Sequence, residues 1–232
     1  MTNRGRQKAR FLMLGGTAEA MLAAHALSQH FDLTYSLAGA TSNPRTPASV
    51  AVRVGGFGGT QGLRQYCEQE SIDAILDCTH PFAARMSKQA VASGWPVFRL
   101  ERPAWTRMRG DRWIDVPHMN AASMRLQHVA GPIALALGKG GTRLARRLGH
   151  RAILRRWSPD LQLDDPTAEA DWLHQTGAKI LVCKNAGGTA FGKLIAARRL
   201  GVPVMMIQRP KILGGEVFHD VSWLVRTLQH RY

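Results

Sequence analysis

Glycines that gather just ahead of helical stretches are the residues of this chain best suited to chemistry, because bare backbone can lie against a phosphate and offer it N–H groups. The first set, Gly15-Gly16-Thr17-Ala18-Glu19, follows an apolar run ending at Leu14. It departs from G-x-G-x-x-G, and a plain strand-to-helix turn accounts for it equally well. The second, Gly55-Gly56-Phe57-Gly58-Gly59-Thr60, puts four glycines in five residues around one aromatic. A turn alone rarely needs so many, whereas a loop that lies against a planar or phosphorylated ligand does. Asp77-Cys78-Thr79-His80-Pro81-Phe82 brings a Thr-His pair to the end of another apolar run. His80 can donate to a ligand carbonyl or carboxylate, or cap the helix that follows.

The second half repeats the pattern with cations added. Gly138-Lys139-Gly140-Gly141-Thr142 and Lys184-Asn185-Ala186-Gly187-Gly188-Thr189 each stand between an apolar run and a helical stretch. Lys184 and Asn185 offer a cation and an amide to an acidic ligand. Arg143, Arg146 and Arg147 lack the glutamates at spacing four that would neutralise them within a helix. Other chemistries lack their parts: there is no G-x-S-x-G, H-E-x-x-H or G-x-x-x-x-G-K-[ST]. The nine histidines and three cysteines show no metal-ligand spacing.

Short aliphatic runs alternate with helical periodicity, which predicts an α/β fold with parallel sheets. Strands are expected over 10–14, 32–37, 51–54, 72–78, 96–100, 133–137, 151–156, 179–183 and 203–207. Helices are expected near 18–29, 61–70, 82–93, 119–129, 141–148, 167–176, 190–200 and 221–230. An internal echo organises the chain: residues 94–103 and 201–210 share G-x-P-V-x-x-x-x-R-P, and Ile75-Leu76-Asp77-Cys78 matches Ile180-Leu181-Val182-Cys183. Two Rossmann-like parallel-sheet domains follow, 1–117 (with 1–8 a frayed tail) and 118–232, with an active-site cleft between them. Ligands of such sheets bind at the carboxyl ends of the strands.

Composition narrows the class. The chain has 232 residues, 45% of them hydrophobic and 20% charged, so it can bury a core and is not disordered. No run reaches the ~18 apolar residues of a membrane span. Cys67, Cys78 and Cys183 form no disulfide framework, which fits a reducing cytoplasm. The net charge of +15 favours acidic partners, and eleven of those charges fall in residues 1–10 and 139–156. Nucleic acid would require one continuous basic face, and no RNA-binding signature accompanies the charge.

GGTAEA at 15–20, RVGGFGG at 53–59, ILDCTHPFA at 75–83, LERPAW at 100–105, KNAGG at 184–188 and AARRLGVPVMMIQRP at 196–210 together resemble the precorrin-6A reductases of cobalamin biosynthesis. The resemblance runs over nearly the whole chain from about residue 10. It implies NADPH-dependent reduction of one macrocycle double bond, giving precorrin-6B, in two Rossmann-like domains. The implied cofactor contacts are Gly15, Gly16, Thr17, Glu19, Gly39, Thr41, Gly55, Gly56, Phe57, Gly58, Thr79 and His80. The polycarboxylate tetrapyrrole would meet Lys139, Arg143, Lys184, Asn185, Gly187, Gly188 and Arg209, with His80, Lys184 or water supplying a proton.

Three departures bear on this reading, the smallest being Ala186 where the family carries K-N-S-G-G. Where the family carries A-G-R-T after the second strand, this chain has Ala38-Gly39-Ala40-Thr41. The missing arginine would clamp a 2′-phosphate, so NADH is admitted beside NADPH unless Arg45 or the Thr41 and Ser42 hydroxyls replace it. Where the family carries G-R-Q-E-L, this chain has Gly138-Lys139-Gly140-Gly141-Thr142, and lysine lacks the two-pronged grip of arginine. These departures keep open a non-catalytic tetrapyrrole- or nucleotide-binding protein on the same scaffold. The sequence leaves monomer and homodimer equally open.

Overall fold

The computed structural model describes residues 8–39, 45–48, 50–155 and 165–232. In chain order the elements are β1 (Arg10–Leu14), α1 (Ala18–Leu27), β2 (Asp32–Leu37), β3 (Ala51–Val54), α2 (Thr60–Gln69), β4 (Ala74–Asp77), α3 (Ala84–Ala92) and β5 (Val97–Leu100). There follow β6 (Trp113–Val116), α4 (Met119–Leu126), β7 (Ile133–Ala136), α5 (Gly141–Leu148), β8 (Ala152–Leu154), α6 (Pro166–Thr176) and β9 (Ile180–Lys184). The chain closes with α7 (Gly192–Arg199), β10 (Val204–Ile207), β11 (Glu216–Phe218) and α8 (Val221–Arg231).

Local chemistry explains where these elements start and stop. β4 and β10 are buried along their whole length and β9 up to Lys184, as parallel strands covered on both faces must be, and their sequences are accordingly apolar runs, broken only by Asp77 at the end of β4. Asp165 accepts from the Thr167 N–H and Pro166 occupies the first helical turn of α6. Asp220 caps α8 through the Trp223 N–H at 2.8 Å. No helix among the described residues is long and apolar enough to cross a membrane.

Two units result. The first holds a sheet of order β11-β5-β4-β1-β2-β3, parallel throughout. One face packs Phe11, Met13, Tyr35, Leu76 and Phe98 against α1 and α8, and the other packs Leu12, Leu14 and Ile75 against α2 and α3. The second unit has the parallel order β6-β10-β9-β7-β8, with α6 and α7 on one face, where Leu173 and Leu194 meet Leu181 and Met206.

The division differs from the one expected at 117/118. The first unit is formed by residues up to Arg102 together with Lys211–Tyr232, and the second by Pro103–Pro210. Two short edge strands cause the difference. β6 pairs with β10 in the second sheet, while β11 pairs with β5 in the first and brings α8 back onto α1. Buried Arg99 fixes this return by donating to the carbonyls of Ile212 and Gly214, both at 3.2 Å, and it also pairs with Glu101. Residues 1–7 of the expected frayed tail, and Arg156 of the strand expected over 151–156, lie outside the described residues.

Candidate active site

In the first sheet the strand order reverses between β1 and β4, and a ligand of such a sheet sits outside the carboxyl ends at that switch point. The β1–α1 turn lies there. Gly15 donates to the Ser36 carbonyl at 2.9 Å and Gly16 donates to the Tyr35 hydroxyl at 3.0 Å. A Cβ on Gly15 would stand 2.1 Å from the Tyr35 ring, so the turn closes only with glycine. The Thr17 hydroxyl accepts from the Ala20 N–H at 3.0 Å and donates to the Cys78 carbonyl at 2.9 Å. It therefore caps α1 and ties that helix start to the end of β4. Glu19 faces Arg102 at 3.5 Å.

The glycine-rich loop after β3 is held from within. Arg53 donates to the carbonyls of Gly55 at 2.9 Å and Gly56 at 3.1 Å, and to the Ser36 hydroxyl at 3.1 Å. Its guanidinium lies 3.8 Å from the Phe57 ring centroid, and Phe57 in turn meets Tyr66 edge-on at 5.3 Å. Phe57 thus stacks on this chain's own side chains. Gly55, Gly58 and Gly59 have φ of +128°, +76° and +107°, which L side chains rarely adopt. A Cβ at Gly55, Gly56, Gly58 or Gly59 would meet nothing within 4 Å. The loop therefore presents bare backbone to open space, which suits the close approach of a dinucleotide.

At the end of β4, Thr79 donates through both its N–H and its hydroxyl to the buried Asp77 carboxylate, at 3.2 and 2.6 Å. His80 accepts the Phe82 N–H on Nδ1 at 3.2 Å, which puts the ring proton of the neutral side chain on Nε2. Its carbonyl accepts from Ala83, just ahead of α3, so His80 both shapes the turn and keeps a defined tautomer. Gly39 is exposed after β2 with φ +73°. Thr41, with Ala40 and Ser42, lies outside the described residues.

The second sheet reverses order between β7 and β9, again where the sequence placed its cationic turns. Lys184 reaches the β7–α5 turn: a Cβ on Gly140 would stand 3.2 Å from its Nζ. Burial lowers the pKa of this ammonium from its ordinary 10.5. Arg143 is exposed on α5, and the side chain of Lys139 lies outside the described residues.

Asn185 and Arg209, expected to meet the substrate, are engaged by the chain itself. The Asn185 amide accepts from the Trp105 N–H at 2.8 Å and donates to the Trp105 carbonyl at 3.1 Å. Arg209 donates to the carbonyls of Asn185, Ala186 and Pro103 at 2.8, 2.9 and 3.2 Å. Gly187 is required because a Cβ there would fall 2.0 Å from the Pro103 carbonyl oxygen. The indole of Trp105 donates to the Gly188 carbonyl at 2.9 Å and carries Lys193 over its ring at 4.7 Å. Sequence reasoning missed Arg53 and Trp105, although both stand inside the motifs RVGGFGG and LERPAW.

Cys67, Cys78 and Cys183 are buried, and desolvation raises all three thiols, Cys67 and Cys183 to about 11. None is suited to act as a nucleophile near neutral pH. Among the described residues no cluster of three or more His, Cys, Asp or Glu could hold a metal ion.

Two doubly wound parallel sheets, one with glycine turns and the other with cations at its switch point, define a Rossmann-like protein of two units. Comparison with known proteins makes the class particular. Residues 10–229 match the family described as Precorrin-6x reductase CbiJ/CobK, and the chain belongs to that family. It is 39% identical over 229 residues to the precorrin-6A reductase of Rhodobacter capsulatus, covering 90% of this chain and 91% of that one. It is 38% identical over 227 residues to the precorrin-6A reductase of a Sinorhizobium species, covering 88% and 87%. A solved structure titled CobK precorrin-6A reductase superposes with a TM-score of 0.81 at 33% identity, covering 96% of this chain and 97% of that one.

Proposed function

We propose that this chain reduces one double bond of the precorrin-6A macrocycle, giving precorrin-6B, with NADPH as the hydride source. The observation that carries the reading is the glycine loop at 55–59, whose backbone faces open space at the carboxyl edge of the sheet that also carries the Thr17-capped start of α1, in a member of the precorrin-6x reductase family. When bound, the nicotinamide supplies the hydride, so the protein's part is to fix distance and face.

The first N–H groups of α1 would receive the pyrophosphate, which a helix start attracts, beside the Gly15-Gly16 turn, whose own N–H groups are bonded to Ser36 and Tyr35. Gly55, Gly56 and Gly58 let the remaining dinucleotide lie close. His80 donates through its Nε2–H toward the reacting end, beside Thr79, whose own N–H and hydroxyl are bonded to Asp77; the Nδ1 contact makes His80 a positioning group more than an acid. NADPH is preferred to NADH because the end of β2, Ser36-Leu37-Ala38-Gly39, holds none of the acids that grip an unmodified ribose.

Lys139, Arg143 and Lys184 of the second unit attract the macrocycle's carboxylates, with the backbone of Gly187 and Gly188 shaping the turn beside them. The overall charge of +15 concentrates such a substrate near the surface. Lys184 also serves as source of the ring proton: burial lowers its pKa and so eases proton release. The test is an anaerobic assay of purified protein with NADPH and precorrin-6A. Nicotinamide absorbance should fall only when both are present, and unchanged spectra of both compounds would remove the reading.

A further inference from the structure

We infer that Arg53 is the receptor for the 2′-phosphate of the cofactor, in place of the arginine absent at position 40. The inference rests on the reading of the first unit as the NADPH-binding one. In a dinucleotide-binding sheet the residue that distinguishes a bare from a phosphorylated ribose stands at the end of β2, about 20 residues beyond the glycine turn. Here that position is Ser36, and it carries no charge. The parallel register sets Arg53 of β3 directly beside Ser36, which is itself beside Leu14 of β1. Two strand spacings separate Arg53 from the strand that leads into the β1–α1 turn, about 10 Å. That span is on the order of the distance from a pyrophosphate to the 2′-phosphate on the adenosine ribose.

The state of the guanidinium points the same way. Its described partners are all neutral: two carbonyls, one hydroxyl and the rings of Phe57 at 3.8 Å and Tyr66 at 5.0 Å. Among the described residues no carboxylate pairs with it, and the stretch 40–44, Ala-Thr-Ser-Asn-Pro, contains none in sequence. Three hydrogen bonds and a stacking partner hold the group still while leaving its charge uncompensated, which is the preorganised state that favours a dianionic ligand. An arginine needed only to brace the loop would be served equally by a nearby carboxylate, which would remove the cost of half-burying a lone cation. The backbone N–H groups of Gly58 and Gly59 stand on the same loop, so the loop and the charge are presented together.

Calorimetry of the whole protein with NADP+ and with NAD+ tests this. The wild type should bind NADP+ more tightly by about 10- to 100-fold, the range for a charge-assisted contact. Arg53→Met should remove that preference by weakening NADP+ alone, and Arg53→Lys should retain part of it, since charge persists without the fork. On the unmodified protein, NADP+ affinity should drop as pH falls through the second phosphate pKa, about 6, while NAD+ affinity stays level. Equal loss of both nucleotides in Arg53→Met would mean that the side chain only braces the loop, and an unchanged preference would place the phosphate elsewhere; either overturns the inference. Equal binding of both nucleotides by the wild type would also overturn it while leaving the reductase reading intact. Failure to bind either one would instead defeat that reading.

Discussion

Gly56 and Lys184 separate function from stability more cleanly than any other residues of the site. Gly56 is the glycine of its loop whose φ is ordinary and whose Cβ would meet nothing. Gly56→Val should therefore leave stability within about 0.5 kcal/mol of wild type. The same branched side chain should obstruct the dinucleotide, so calorimetry should find weakened binding beside an unchanged melting curve. Unaltered affinity would make the loop a mere turn. Lys184 is the opposite case, a half-buried cation whose pKa desolvation holds below 10.5. Below that depressed pKa, native and unfolded states both keep the proton and the native state bears the desolvation cost. As pH climbs toward 10.5 the native state sheds the proton first, and the cost fades. Lys184→Met should thus melt above wild type at neutral pH, with a gap that narrows toward pH 10.5, and should raise the KM for the carboxylate-rich substrate. A gap that did not change with pH would contradict this. The sequence places Gly56 and Lys184 in turns that follow strands, whereas the hydrogen bonds that Asn185 and Arg209 make within the chain leave no trace in it. Their polar groups close on the Pro103–Trp105 segment, some 80 to 106 residues away in sequence, and no local pattern reports such a partner.

At the scale of elements, all nine strands and eight helices expected from periodicity are present within a few residues, because apolar runs and caps are local signals. The two strands that were not expected, β6 and β11, are edge strands of four and three residues. So short a run carries no readable alternation, and each pairs on one side only. Thr17 shows how an element's cap can also be a joint: one hydroxyl closes α1 and binds the end of β4. Thr17→Ala should cost about 1–2 kcal/mol in urea denaturation, a cap plus one further hydrogen bond. A loss of a few tenths would mean that the tie to Cys78 contributes nothing.

At the scale of the molecule, the internal echo marks the crossings between the two units. Its two Arg-Pro pairs are the places where the chain passes between the units, Arg102 to Pro103 and Pro210 to Lys211. The expected single boundary at 117/118 missed this because composition alone does not reveal that a chain returns to its first sheet. On the proposed function, one hydrogen passes directly from the nicotinamide to the macrocycle. Running the anaerobic reaction with NADPH stereospecifically deuterated at nicotinamide C4, in each of the two configurations, and weighing the tetrapyrrole product tests that claim most directly. One configuration should yield product heavier by a single deuterium and the other unlabelled product. Product without label from both, or no product at all, would contradict it.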